Sequence, residues 1–293
     1  MNTAEEIKDK IGTAEELHSV VKTMKALAAV NIRQYEKAAQ ALLQYNHTLR
    51  LALRGVLVHG PAARLTQKDQ EVDKLAAVIF GSDQGMCGQL NDLIVRHALS
   101  EMDNMGVTPD RRFVVVVGRR AAARIEDEDQ ELHRVMSVPG SSSAISNTVR
   151  ELVVTVEKLD ARRDVRHVIL FFSKHQGGAA YNQHTEHMLP MDRNWLHQIE
   201  AEEWPTNKIP LFRMKRQELF SSLVRQYIFV SLFQAMAESL ASENASRLAA
   251  MQGAEKNISE RLDELNSTYH RRRQQAITEE LLDIVSGFSA LEE

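Results

Sequence analysis

Cysteine is nearly missing: Cys87 is the only one in 293 residues. An internal disulfide and a cysteine-based metal cluster are therefore excluded, and a reducing cytosol is the expected compartment. Positive charge is not in surplus. Lys and Arg number 36 against 40 Asp and Glu, a formal net charge of −4. With no excess of cations to neutralise phosphates, nucleic acid is not an expected partner. Long hydrophobic runs are also lacking. The longest, residues 113–117 and 168–172, are far too short to span a bilayer. The N-terminal stretch from Met1 to Lys10 is polar and acidic, unlike a secretion signal. Aromatics are sparse at 5%, but hydrophobic residues still make up 43%. That is enough to fold, and wholesale disorder is excluded.

Proline is absent from both ends. All six prolines lie between Pro61 and Pro210, and most glycines lie there too. Proline inside a helix costs about 3 kcal/mol, so long proline-free arms are what long helices require. The arm that follows Pro210 carries apolar side chains at Leu219, Leu223, Tyr227, Val230, Phe233 and Ala237, and onward through Leu262, Leu265, Leu281, Ile284 and Phe288. Nearly every step is three, four or their sum. This repeat near 3.5 is a coiled-coil seam, and it would make a rod of ~100 Å. The arm that precedes Pro61 repeats the pattern at Ile7, Ile11, Leu17, Val21, Met24, Ala28, Tyr35, Leu42, Leu49 and Val56. Winding the two arms together antiparallel buries both seams. An ordinary helical bundle is the plainer alternative, but no third helix of matching length exists to complete one. Asn244, Glu255, Arg272 and Arg273 interrupt the seam, and polar seam positions fix register at a cost in stability.

The middle alternates between strand and helix. Strands are expected at residues 75–80, 113–117, 135–138 and 167–172, with an edge strand at 186–191. Helices are expected at 91–102, 119–125 and 144–159. Strands separated by such helices imply a parallel sheet covered on both faces. The fold class expected is α+β: a long antiparallel coiled coil of the terminal helices plus a Rossmann-like α/β domain. The domain limits are 1–60, 61–210 and 211–293.

Chemistry is scarce. The run from Gly81 to Asn91, Gly-Ser-Asp-Gln-Gly-Met-Cys-Gly-Gln-Leu-Asn, follows the first strand and precedes a helix. Glycines and free amides there would suit an anion. Yet the run fits neither dinucleotide nor P-loop spacing, and a capped strand-to-helix turn explains it as well. Cys87 on this turn suggests a nucleophile elbow, but no spacing selects a partner among His97, His167, His175 and His184. A small buried hydrophobe is the plainer role. His184 and His187 flank Glu186, with Met188 and Pro190 following, in a stretch that reads as strand or loop. They are expected as surface histidines rather than metal ligands. The acidic run 126–129 reads as solvated. The basic run His270-Arg271-Arg272-Arg273 reads as a solvated face, or as a collar meeting acidic groups on a surrounding partner.

Three stretches resemble the gamma subunit of F-type ATP synthases. The first is the turn with Ser82, Asp83, Gly85, Cys87 and Gly88, followed by Leu90-Asn91, which is similar to that family's Ser-Asp-x-Gly-Leu-Cys-Gly signature. The second is Glu243-Asn244-Ala245-Ser246-Arg247-Leu248-Ala249-Ala250-Met251. The third runs from Tyr269 through Arg273-Gln274-Gln275-Ala276-Ile277-Thr278-Glu279-Glu280-Leu281 to Ile284-Val285-Ser286-Gly287 and Ala290-Leu291. Departures occur at Asn31, where the family carries a lysine, and at Glu255-Lys256-Asn257. They would fit a divergent, sodium-type branch.

The resemblance implies a non-catalytic central rotor stalk that couples rotation of the membrane ring to ATP synthesis or hydrolysis. Its partners would be the alpha and beta subunits of the catalytic hexamer, the epsilon subunit and the membrane c-ring. No catalytic residue, cofactor, metal or small-molecule substrate is implied. Arg247, Arg273, Gln274, Thr278 and Glu280 would meet the alpha and beta subunits. Ile284, Val285, Phe288 and Leu291 would form a bearing tip. The complex would sit peripherally on the cytoplasmic side of a bacterial or archaeal inner membrane. A coiled-coil scaffold with an α/β head, and a Cys87-dependent enzyme, are the alternatives.

Overall fold

The computed structural model describes residues 4–57, 72–178, 180–202, 204–205 and 211–289. The expected limits at 61 and 210 and the tip residue Leu291 lie outside them, and Phe288 lies outside those whose side chains are described. The first arm is one helix, α1 (Ala4–Leu57), and it passes through Gly12 without a break. The chain then forms β1 (Leu75–Phe80), α2 (Leu90–Asn104), β2 (Arg112–Val117), α3 (Arg119–Glu126), β3 (Leu132–Met136), α4 (Ile145–Arg163), β4 (His167–Gly177), β5 (Ala180–Leu189) and α5 (Arg193–Ala201). The second arm is α6 (Arg216–Ser289). The chain divides into two compact units. One comprises residues up to Ala28 with those from Leu248 onward, and the other comprises Ala29–Arg247.

In the larger unit the sheet order is β3-β2-β1-β4-β5. The first four strands are parallel, and β5 runs antiparallel to β4. The expected parallel sheet thus carries one reversed edge. Successive residues of a strand face opposite ways, so each apolar run feeds two cores. Ala76, Val78 and Phe80 of β1 face α4 and α6, meeting Val149, Leu152, Leu232 and Met236. Leu75, Ala77 and Ile79 face α2 and α3, meeting Ile94, Ala98, Ala121 and Ile125. Strands buried on both faces must read as unbroken apolar runs, and β1 is buried at all six positions. A third cluster joins Leu49, Leu53 and Leu57 of α1 to Leu196 and Ile199 of α5 and Val230 of α6.

Four elements differ from the sequence reading. β3 ends at Met136 rather than reaching Val138, because the Val138 amide donates to the Asp83 carboxylate instead of a ladder partner. β4 and β5 form a hairpin longer than the apolar run at 167–172. Their outer halves are polar and partly exposed, so hydropathy does not mark them. Helix α5 has no counterpart in the sequence reading. Asp192 caps it by accepting from the Asn194 amide at 2.9 Å.

The antiparallel pairing of the arms is present in each unit. In the smaller one, Lys25 forms an ion pair with Glu255. In the larger one, Asn31 donates to Asn244 at 3.3 Å and Tyr45 to Gln226 at 2.8 Å. The expected seam is only partly correct. Leu17 is 53% exposed, while Ile7 and Ala28 are buried. Leu281 and Ile284 are 58% and 57% exposed. Followed outward from the pair of Lys25 with Glu255, the two antiparallel helices bring Ala4, where α1 begins, level with Ala276. From Ile277 onward, α6 has no opposing turn among the described residues of α1.

A partly buried carboxylate adds a pH dependence. Glu186 on β5 is pushed up chiefly by burial and further by Glu238, against a hydrogen bond from Ser231 and the charge of Lys174. A raised folded-state value means that its stabilising contribution is complete below the ordinary carboxylate range. That contribution is lost as pH rises through the raised value. Glu186→Gln is therefore expected to raise the melting temperature by about 2 °C at pH 8, with no change at pH 4. Melts of the isolated chain at the two pH values check this.

Candidate functional site

The glycine-bearing turn of residues 81–88 is closed on itself and fastened to α6. The Ser82 amide donates to Asn91 Oδ1 at 3.0 Å, and Asn91 Nδ2 donates back to Ser82 Oγ at 2.8 Å. Asp83 ties in two neighbours. Its Oδ1 accepts from the Arg119 amide at 2.8 Å and its Oδ2 from the Val138 amide at 2.9 Å. Gly118 lets this region close up. It sits at φ 116°, and a Cβ there would lie 2.6 Å from the Ser82 amide nitrogen. The Ser82 amide is thus directed to a side chain of the same chain, and the Gly81 amide to the Val117 carbonyl at 2.8 Å.

The other side of the turn meets α6. Ser246 Oγ donates to the Cys87 carbonyl at 2.6 Å, and Arg247 Nη2 reaches the Gly85 carbonyl at 3.5 Å. One and two turns earlier, Ser242 Oγ donates to the Ser173 carbonyl at 2.9 Å and Ser239 Oγ to the Phe80 carbonyl at 3.4 Å. Gly88 sits at φ 57°, and a Cβ there would meet Ser246 Oγ at 3.2 Å. Small hydroxyl residues at 239, 242 and 246 bring the helix backbone close to the strand ends. Their steps of three and four, unusual on an otherwise apolar face, are a sequence signal for this contact that the motif reading passed over.

Between them lies an ion pair. Arg247 Nη2 donates to Glu243 Oε1 at 2.7 Å, and Glu243 and Arg247 are only 6% and 8% exposed. Burial pushes the Glu243 carboxyl up against the attraction of Arg247, and Asp83 adds to the rise. Tyr35 of α1 faces the same pair, its phenol raised by burial and by Glu243. Glu243 Oε2 and Arg247 Nε have no hydrogen-bond partner among the described residues. The pair is desolvated and incompletely satisfied, so removing one member should cost more than removing both.

Cys87 is 2% exposed. Its sulfur lies 3.5 Å from Ser82 Oγ and 3.6 Å from Asn91 Nδ2, and no imidazole of the described residues bonds to it. A thiol so enclosed acts as a small hydrophobe. Cys87→Ala is expected to leave turnover of the assembled complex within about twofold of wild type. Loss of activity with the fold intact would instead favour cysteine chemistry.

The other candidate residues lie on α6 within the smaller unit. Arg273, Gln274, Thr278 and Glu280 are exposed, as are Ile284 and Val285. Thr278 Oγ1 donates to its own helix at the Gln274 carbonyl, 2.9 Å away. Exposed Ile277, Leu281 and Leu282 accompany them. Arg247 is therefore buried in the fold of its own chain, while the described candidates from Arg273 to Val285 face outward.

A family model described as ATP synthase matches residues 3–291. The chain belongs to this ATP synthase family. A curated relative, the ATP synthase gamma chain of Staphylococcus saprophyticus, is 25% identical over 298 residues, covering all of both chains. Within the family this chain is a gamma subunit, the non-catalytic central rotor stalk. Its fold is similar to chains in cryo-EM structures of the Euglena gracilis mitochondrial ATP synthase. One, in the rotor in rotational state 1, has a TM-score of 0.64 and 18% identity, covering 94% of this chain and 98% of the other. A second, in the assembly of OSCP, F1 and c-ring in rotational state 3, has a TM-score of 0.67 and 18% identity, covering 98% and 94%. A chain of the Tetrahymena thermophila central stalk and c-ring has a TM-score of 0.57 and 16% identity, covering 80% and 99%. Among the described residues, no helix of this gamma subunit is long and apolar enough to cross a membrane.

Proposed function

We propose that the terminal helices turn inside a hexamer of alpha and beta subunits while the α/β unit forms the foot, seated on the c-ring and the epsilon subunit. The observation that carries this reading is the family match over nearly the whole chain, together with two terminal helices paired antiparallel. One antiparallel pair has no threefold symmetry, so each catalytic subunit meets a different face of it. A ligand-like partner shifts a conformational equilibrium only by its differential contacts with the two states. Turning the helices therefore biases each catalytic subunit in sequence between open and closed forms.

Arg273, Gln274, Thr278 and Glu280 suit the contact role, being exposed polar groups on one stretch of helix. Ile284 and Val285 suit an apolar bearing, continued by Phe288 and Leu291. Arg247 is assigned to the same functional region but acts through the turn it holds. The boundaries of coil and foot are taken near residues 60 and 210. The complex is assigned to the cytoplasmic face of a bacterial or archaeal inner membrane, attached peripherally. In the test, the chain is co-expressed with alpha and beta subunits of the same organism. A stable complex whose ATP hydrolysis depends on this chain is the expected outcome. If such subunits fail to co-purify with it, a coiled-coil scaffold of unrelated purpose becomes the better reading.

A further inference from the structure

In the smaller unit, most apolar side chains at seam spacing are half-buried, among them Ile11, Val21, Met24, Ile258, Leu262 and Leu265. Among its described residues, only Ile7, Ala28 and Met251 are fully buried hydrophobics. Gly12 and Gly253 have nothing within 4 Å of a notional Cβ. Half-buried contacts resist sliding less than a fully packed core does. A directional contact joins the two helices there, the ion pair between Lys25 and Glu255.

Its surroundings are arranged around the acid. His18, Lys22 and Lys25 are spaced by four and three residues, so they share one face of α1. All three act on Glu255. The hydrogen bond from Lys25 holds its carboxyl below the usual carboxylate range, and the charges of Lys25, His18 and Lys22 add to this. Both members are only partly exposed, at 33% and 24% of their side-chain surface. A slip of one turn in either direction would bring Lys25 level with Met251 or Ile258, setting an ammonium against apolar side chains.

We infer that Lys25 and Glu255 are positioning residues of the rotor, holding the two helices in one register so that they turn as a single body. The inference rests on the stalk reading. Contact with the surrounding subunits pushes unequally on the two helices. Only a cross-helix contact that penalises sliding passes the push from one to the other. Neither residue touches the reacting nucleotide; their effect reaches catalysis through the alignment of the faces presented to the partners.

The experiment has two arms, each run on wild type, Lys25→Glu, Glu255→Lys and the double exchange. In the isolated full-length chain, each single reversal is expected to lower the melting temperature, and the double exchange to restore most of the loss. In the assembled complex, each single reversal is expected to lower the number of ions moved per ATP hydrolysed about fivefold, with the double exchange recovering to within about twofold. A Lys25→Cys, Glu255→Cys chain, bridged by a short bis-maleimide, is expected to keep its turnover, because the helices need not slide. A merely structural contact would move the melting temperature and leave the ion-to-ATP ratio alone, and that result overturns the inference. Bridging that stops turnover in an intact complex overturns it as well. Failure of the wild-type chain to join alpha and beta subunits sinks the stalk reading instead. In that case the exchange pattern in the isolated chain still decides whether the pair sets register.

Discussion

Replacing Arg273 with alanine is expected to cut ATP turnover by the assembled complex at least about tenfold, while the isolated subunit melts within about 1 °C of wild type. Arg273 lies on the exposed surface of α6, and no ion pair of the described residues involves it. Alanine is the best helix former, so the substitution removes a long polar side chain without disturbing the helix. What goes is a planar fork of five donors, able to bind a carboxylate with two parallel hydrogen bonds. Truncating an arginine contact at the centre of an interface commonly costs about 2 kcal/mol. A tenfold change in an equilibrium needs only about 1.4 kcal/mol. Lysine at the same position keeps the charge but loses the fork, so Arg273→Lys should fall between alanine and wild type. Steady-state hydrolysis beside thermal melts separates the two effects. An unchanged rate in the alanine variant would remove Arg273 from the contact surface.

The fold was legible wherever burial is complete. β1 and β2 are closed on both faces, so 75–80 and 113–117 had to be unbroken apolar runs, and the helices between them had to carry a stripe. The hairpin was not legible. Ser173 to Gly177 and Ala180 to Gln183 are strand because they bond to each other, and mutual hydrogen bonding leaves no trace in hydropathy. Helix α5 is short, and its evidence is a single capping aspartate. Leu17 was misplaced because a spacing of three and four allows two adjacent faces, and only the partner decides between them. The exposed end of α6 shows the same limit, since its apolar spacing continues past the last described turn of α1 that could face it.

The turn at 81–88 illustrates a different limit. Its glycines were visible and so was their position between strand and helix, which is the same arrangement that binds phosphates elsewhere. What distinguishes the two is where the amides and carbonyls point. Here the Ser82 amide is taken up by Asn91, and the Cys87 and Gly85 carbonyls by Ser246 and Arg247 far along the chain. Short motifs fix local geometry, and distant residues decide whether that geometry stays open for a ligand.

The buried pair behind that turn gives the largest expected change in stability. Arg247→Ala strands the enclosed Glu243 carboxylate with neither an opposing charge nor water. Breaking such a pair from one side costs about 3–5 kcal/mol, a large part of the total stability of a domain. Removing both charges at once, as Glu243→Gln with Arg247→Met, should recover most of that loss, because the second substitution keeps the packing and the first removes the stranded charge. The pH dependence provides a second check. Burial already holds Glu243 above its ordinary range, so its contribution favours folding at low pH and is lost as pH rises through the raised value. Without Arg247 nothing opposes that rise. The deficit of Arg247→Ala should therefore be greatest near pH 8 and shrink toward pH 4, where the carboxyl takes up a proton in both variants. Urea midpoints of the three chains at each pH would expose the alternative: a deficit that does not vary with pH would mean that packing of the arginine stem, not its charge, holds the turn to the helix.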